Sequence, residues 1–415
     1  MIGRYVAPAG APIRAADLAA FIRTVPELGA AEERLKSVIS DRTGRRHCAL
    51  TCTGRAGLTV LLSALSSLAG RDRDEVIVPS YTCYSVAASV VRAGLRLRIV
   101  DVDARSLDFN IEKLGNADYR RVLAIVAPSL YGLPACLPEI AALARDQHAF
   151  LIDDAAQSFG AAVGSRPAGG WGDAGLLSFD KGKNISAIDG GAIVSDSDDI
   201  SRAVASRVGK LRRPPVAATA VHLVKLGVYA GFLAPALYWI PNALPGLGLG
   251  QTRYRSDFAV ERPSRLLTAL AATMVRRLDE FQAFRAAVAA RFGEAFRDTP
   301  SMTIPRPAAG ARPAYLRFPL LVDDPDVRDQ ILVACQSSGI GATGSYPRSI
   351  ADLPELRHAY VDGVDARMGR YVAERIVTLP THPYVAERDI AGTIQAVLGC
   401  LNSGPRTAAH RVIAG

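Results

Sequence analysis

The sequence predicts an α/β fold in which a mainly parallel sheet carries helices on both faces and a smaller C-terminal α+β domain follows it. Three observations predict this. Strand-like and helix-like segments alternate from Ala49 to Asp196. Several strand-like segments, such as EVIVPS and RVLAIVAP, are short apolar runs of the kind found in buried parallel strands. After Thr299 the pattern changes to two strand-like segments, YLRFPLLV and RIVTLPTHP, around a helical one, DQILVACQSSG.

Taken in order, LKSVISDRTGR reads as a helix with polar breaks. CALTCTGRAGLTVLLSALSSL starts as a short strand, turns at Gly54 and continues as a helix. EVIVPS is a strand ending at a proline, and SVAASVVRAG is a helix stopped by glycine. LRLRIVDVD is a strand, β-branched towards its end. RVLAIVAPSLYG is a strand and then a loop. LPEIAALARDQH is a helix with an apolar period of about 3.6. AFLIDDAAQ is a strand ending in carboxylates, and AGLLSFD and GGAIVSD are two further short strands. Ser264–Phe296 has the apolar spacing of one long helix linking two domains. The expected division is a large domain at 1–262 and a linking helix with a small domain at 263–415.

The length of 415 residues, with 49% apolar and 21% charged, excludes extended disorder. The net charge of +9 favours anionic partners. Basic residues occur throughout the chain without a basic-aromatic tract, so phosphorylated metabolites or a membrane surface fit better than nucleic acid. Cys48, Cys52, Cys83, Cys136, Cys335 and Cys400 are dispersed. No second Cys/His pair completes a metal site with Cys48 and Cys52. Reduced thiols in a cytoplasmic protein are expected. The opening MIGRYVAPAGAPIRAADL lacks the apolar core and cleavage signal of a secretory peptide.

One region differs in character. Arg202, Arg207, Lys210, Arg212 and Arg213 form a basic stretch ahead of an uncharged run from Leu226 to Thr252. The run is long enough for a span of about 20 residues, but Pro235, Pro241, Pro245 and the GLGLG tail argue against one uninterrupted helix. Residues 221–252 therefore read as an apolar insert. It is either a buried or subunit-contacting segment or an interfacial anchor, giving peripheral membrane contact through 221–250.

Ligands of open α/β sheets sit outside the carboxyl ends of the strands. Thr53, Asp154 and Ser178 are the polar residues at such ends, which points to one shared cleft. Four local patterns lie there. Thr53-Gly54-Arg55-Ala56-Gly57 enters a helix, where free N–H groups and the dipole suit a phosphate, although a plain strand-to-helix turn looks the same. Asp153 and Asp154 in IDDAAQSFG suit a metal, a helix cap or a cation. Lys181 and Lys183 in LLSFDKGKN are either a solvated pair or an amine nucleophile with a cationic neighbour that favours its neutral form. Asp189-Gly190-Gly191 allows tight backbone geometry beside the lysine loop.

Together these patterns resemble the fold-type I pyridoxal-phosphate enzymes and, within them, the DegT/StrS-like sugar aminotransferase family. The specific segments are IDDAAQSFGA and GDAGLLSFDKGKNISAIDGGAIV, with EVIVPSYTCYSVAASVVRAGLRLRIVDVD before them and GSYP and IVTLPTHPYV near the end. The resemblance spans about Ala49 to Leu401 and is weakest across Ala205–Glu261. It implies the three-layer large domain of that fold type and pyridoxal 5'-phosphate as cofactor. It further implies that Lys183 holds the cofactor covalently and then acts as base. Asp154 pairs with the pyridinium nitrogen, and Gln157 lies near the phenolic oxygen. Gly54, Arg55 and Ser178 cradle the phosphate. Cys83 stands where several members place an aromatic residue against the cofactor ring, and Ser129 where a histidine is often found before Tyr131-Gly132. Of Val260-Glu261-Arg262, only Arg262 fits the motif that reaches a neighbouring subunit's phosphate.

The implied reaction transfers an amino group from an amino acid, glutamate, to a keto-sugar, nucleotide-linked, in a homodimer. A lysine at 183 favours this over the related dehydratases, which carry histidine there. The alternatives are another fold-type I reaction on a lipid-linked or amino-acid substrate and a non-catalytic regulator on the same fold. His358 and His382 read as surface or structural. Trp171 in GGWGD lies close enough in sequence to leave open whether it lines a substrate pocket.

Overall fold

The computed structural model describes residues 3–70, 72–243, 253–361 and 363–404. Its main sheet has seven strands: β1 (His47–Thr51), β2 (Glu75–Pro79), β3 (Arg96–Val100), β4 (Val122–Pro128), β5 (Phe150–Asp154), β6 (Ala174–Ser178) and β7 (Gly191–Ser195). They lie in the order β1-β7-β6-β5-β4-β2-β3. β2, β3, β4, β5 and β6 are mutually parallel, while β7 is antiparallel to both of its neighbours. Every residue of β2, β4, β6 and β7 is buried, which explains their apolar runs. The reversal of β7 has a local cause. A parallel return is usually made by a helical crossover. The chain leaving Ser178 instead makes an irregular loop and re-enters the sheet beside β6, Ser178 opposite Gly191. Lys183 is carried on that loop, across the carboxyl end of the sheet.

Helices α1 (Ala15–Thr24), α2 (Leu28–Thr43), α3 (Gly54–Leu68), α4 (Tyr84–Arg92), α5 (Leu137–Asp146) and α6 (Asp198–Lys210) accompany these strands. α2 ends at Gly44, whose φ of +68° is the left-handed conformation that favours glycine. α6 has Ser197 as N-cap, acids in its first turn and basic residues in its last, matching the helix dipole.

The apolar insert forms two helices, α7 (Val216–Phe232) and α8 (Pro235–Ala243). Leu226 and Leu233 are buried beneath them, and Tyr229 Oη accepts the N–H of Ala11 at 3.1 Å. The remainder of the predicted run, 244–252, lies outside the described residues. No described helix is long and apolar enough to cross a membrane.

The single linking helix expected from Ser264 to Phe296 is two helices, α9 (Arg265–Met274) and α10 (Leu278–Phe296), joined by a 3-10 turn at Val275–Arg277. Arg277 at the turn is held by Asp17 at 2.6 Å and Glu280 at 2.8 Å. Leu267, Leu270, Leu278 and Phe281 pack with Leu35, Ile39, Leu50 and Phe179. Further along α10, Val288, Phe292 and Phe296 pack with Phe318, Leu320 and Ile331. The pair of helices thus passes from one core to the other.

The small sheet comprises β8 (Met302–Thr303), β9 (Arg317–Val322) and β10 (Ile376–Pro380), all antiparallel. α11 (Pro325–Ser337) and α12 (Glu387–Ser403) cover it. The N-terminal segment has almost no regular structure, yet it is tied down throughout. Val6 bridges Ile340, Ala7 O meets His382 Nε2 at 2.8 Å, and Tyr5 N donates to Pro235 O at 2.8 Å. Arg285 donates to Gly10 O at 3.0 Å, and Arg277 to Pro12 O at 3.2 Å.

Candidate active site

Thr53, at the end of the β1 turn, is the N-cap of α3; its hydroxyl accepts the N–H of Ala56 at 3.0 Å. This leaves the amides of Gly54 and Arg55 at the head of a helix, the arrangement that attracts a phosphate. Backbone packing here is close. A Cβ on Gly54 would lie 3.0 Å from Ser178 Cβ, and one on Gly191 would lie 2.7 Å from Gly54 N and from the Thr53 carbonyl group. Glycine at both positions lets the ends of β6, β7 and α3 converge.

One cleft, enclosing about 730 Å³ of space open to solvent, collects the residues singled out from sequence. Its walls include Gly54, Arg55, Cys83, Ser129, Asp154, Gln157, Ser178 and Lys183, along with Ser85, Ser89 and Asp180. Cys83 sits at the N-cap of α4 and is half-buried. Asp154 ends β5, 7% exposed. Burial pushes its carboxyl above the usual carboxylate range, opposed by the N–H of Ala156, 3.1 Å from Oδ1, and by the charge of Lys183. Asp154 thus caps the turn after β5 and feels the charge of Lys183. Lys183 Nζ makes no hydrogen bond among the described residues. Lys181, read as its cationic neighbour, is paired with Asp180 at 3.8 Å.

Asp153 has another task. Its Oδ2 accepts the N–H groups of Gly169 at 2.6 Å and Trp171 at 3.2 Å, and burial pushes its carboxyl up to about 7. It anchors the GGWG turn. Trp171 stacks beneath Arg166, 4.9 Å from the guanidinium, and is not among the cleft residues. His382 is fully buried and structural; His358 is exposed. Arg262 donates to the carbonyls of Val208 at 3.1 Å and of Gly209, capping α6 within its own chain.

Sequence reading did not bring two groups together around the site. The first is a tyrosine cluster. Gln157 Oε1 accepts the N–H of Tyr131 at 3.1 Å, and its Nε2 donates to Tyr346 Oη at 3.0 Å. Tyr131 Oη lies 3.0 Å from Tyr81 Oη, and the Tyr346 ring is 5.7 Å from that of Tyr81 and 5.9 Å from that of Tyr84. The second is Arg285 of α10, which is fully buried. It donates to the carbonyls of Asn184 at 2.8 Å and Lys183 at 3.3 Å, fixing the lysine loop from behind. The Tyr-Gly pair was the available signal for the first group. Arg285 has none.

A pyridoxal-phosphate cofactor fits these residues. The cleft offers a helix start and a serine hydroxyl for a phosphate, a buried carboxyl for a ring nitrogen, an amide for a phenolic oxygen, and a lysine amine free of hydrogen bonds for an aldehyde.

The model of the DegT/DnrJ/EryC1/StrS aminotransferase family matches residues 16–219 and 252–398. A curated relative, the UDP-N-acetyl-3-dehydro-alpha-D-glucosamine 3-aminotransferase of Acidithiobacillus ferrooxidans, is 27% identical over 88% of this chain and 87% of its own. Among solved structures, a DegT DnrJ EryC1 StrS aminotransferase from Brucella abortus has a TM-score of 0.72 and 25% identity, covering 92% of this chain and 94% of that one. Helicobacter pylori PseC, an aminotransferase involved in the biosynthesis of pseudoaminic acid, has a TM-score of 0.79 at 15% identity, covering 97% and 100%. With a cleft of this composition at the strand ends and a family match over most of its length, the chain belongs to the DegT/DnrJ/EryC1/StrS family of pyridoxal-phosphate-dependent aminotransferases.

Proposed function

We propose that the protein, as a cytoplasmic homodimer, transfers an amino group from glutamate to the keto group of a nucleotide-linked sugar, in polysaccharide or secondary-metabolite biosynthesis. The observation that carries this reading is the convergence of Lys183, Asp154, Gln157, Ser178 and the start of α3 on one cleft. The sugar assignment is supported by the curated relative from Acidithiobacillus ferrooxidans, whose name describes a UDP-linked amino-sugar.

Pyridoxal phosphate supplies an electron sink for the carbon that loses or gains a proton. The roles proposed for the chain's residues follow from their surroundings. The raised basicity of buried Asp154 suits it to hold a proton at the ring nitrogen. The amides of Gly54 and Arg55 and the hydroxyl of Ser178 bind the phosphate where the helix dipole is positive. Gln157, oriented by Tyr131 and Tyr346, presents its amide towards the phenolic oxygen. Cys83 supplies the smaller face contact. The Lys183 amine holds the aldehyde and then moves a proton between substrate and cofactor carbons.

The test is a spectral screen of amino donors and keto-sugars. Purified protein should carry a visible band that glutamate bleaches and a suitable nucleotide-linked keto-sugar restores. Lys183→Ala should lose the band; an unchanged band would overturn the lysine assignment. A band that no amino acid bleaches would favour the non-catalytic reading.

A further inference from the structure

We propose that the exposed face of α7 and α8, with the basic residues on either side of it, docks this protein on an anionic phospholipid surface. The inference stands independently of the transamination reading.

The first observation is charge segregation. Basic residues occur throughout the chain, but acidic residues do not. Between Ser201 and Ser256 there are eight Lys/Arg residues and no Asp or Glu. The other residues are nearly balanced, at 41 basic against 40 acidic. Almost the whole net charge of +9 therefore resides in one segment.

The second observation is what that segment exposes. Val221, Val224 and Val228 are 52%, 66% and 50% exposed, and they recur at the spacing of one helix face. Leu223 of α7 and Leu237 and Trp239 of α8 are exposed as well. The opposite side of α7 is also apolar, since Leu226 and Leu233 are buried and Tyr229 is fastened to Ala11. A helix on a water-exposed surface should carry polar residues outward. α7 carries valines there, with Lys225 the one charged side chain along its length.

The third observation is continuity with the family match, which passes over residues 220–251. Residues 221–243, which carry the exposed apolar face, lie outside that family match.

Charge and geometry select the occupant. A two-fold symmetric dimer contact through this face would bring the same segment from both copies together, and each carries a formal charge of +8 in sequence, Arg202 being paired with Asp199 just outside it. An anionic lipid surface complements those charges and accepts the valines and Trp239 at the headgroup level. α7 has 17 residues, about 26 Å at the helical rise, short of a bilayer core of about 30 Å. Its inner face is fixed to the protein. The segment lies on a membrane and does not span it.

The experiment is flotation of the full-length holoenzyme with vesicles of phosphatidylcholine alone and of phosphatidylcholine mixed with phosphatidylglycerol. The wild type should float with the mixed vesicles, less so at high salt and little with phosphatidylcholine. Val224→Glu/Val228→Glu should weaken this binding at least about tenfold. Both positions are exposed, so the cofactor band should remain. A protein that ignores the mixed vesicles, or a double variant that binds them as tightly as wild type, would overturn the proposal. So would light scattering showing a wild-type dimer that the double variant converts to monomer. A second readout needs no stable double variant. In a Trp171→Phe background Trp239 is the sole tryptophan, and mixed vesicles made with brominated phosphatidylglycerol should quench its emission. Unquenched Trp239 would likewise overturn the proposal.

Discussion

Arg285 offers the sharpest energetic test of how the lysine loop is held. Its guanidinium is wholly buried and has no carboxylate partner among the described residues; it donates to the carbonyls of Asn184, Gly10 and Lys183 at 2.8, 3.0 and 3.3 Å. Hydrogen bonds to a charged donor contribute about 1.5–3 kcal/mol each, with the longest at the low end, so the three together contribute roughly 5–7 kcal/mol. Opposing this, burial lowers the arginine pKa to about 10. That corresponds to about 3 kcal/mol held against the charged form. Arg285→Met keeps most of the volume, relieves the burial of charge and strands three carbonyls. The expected net loss is about 2–4 kcal/mol, measured by urea unfolding followed by circular dichroism. Because two of the carbonyls belong to Lys183 and its neighbour, the cofactor should also bind more weakly in a titration of the visible band. Arg285→Lys should fall between the two. Arg285→Met with stability within about 0.5 kcal/mol of wild type and unchanged cofactor affinity would refute the argument.

Three further outcomes are expected. Asp154→Asn can keep the Ala156 contact but cannot hold the ring proton as an anion does, so it should retain cofactor and lose at least about a hundredfold in turnover; full activity would contradict the role. His382 is depressed to about 4 by burial, its Nε2 within hydrogen-bonding distance of Ala7 O and its Nδ1 of Tyr384 N–H. A folded value below the unfolded 6.5 means that its contribution is complete above about pH 6.5 and is lost as pH falls towards 4, by about 3 kcal/mol. His382→Gln should flatten the urea-stability profile over that window, and an unaltered slope would refute the assignment. Gly191→Ala places a methyl group 2.7 Å from Gly54 N. It should cost about 1–3 kcal/mol and weaken cofactor binding, as read by unfolding and by the visible band.

Most of the sheet was legible because its signals are local. EVIVPS, RVLAIVAP and AGLLSFD are short apolar runs ended by proline, glycine or a polar residue, and each became a buried strand. The candidate site residues were legible for a related reason, since each stands at a strand end or in the first turn after it, where topology brings distant segments together. What was not legible depends on tertiary partners. VRR contains neither glycine nor proline, so nothing in its pattern marks the break between α9 and α10; Asp17, far off in sequence, helps to hold it. Arg285 reads as an ordinary surface arginine on a helix. Tyr346 lies nearly two hundred residues from Gln157, and only folding makes them neighbours.

The N-terminal segment has forgone strand or helix of its own to lie among other elements, and this makes it a handle. Residues 5–12 touch the small domain at Ile340 and His382, the insert at Pro235 and Tyr229, and the lysine loop through Arg285. A fusion partner, an affinity tag or a proteolytic nick placed there would act on all three at once, so preparations that differ only in how their first dozen residues are processed need not behave as the same catalyst.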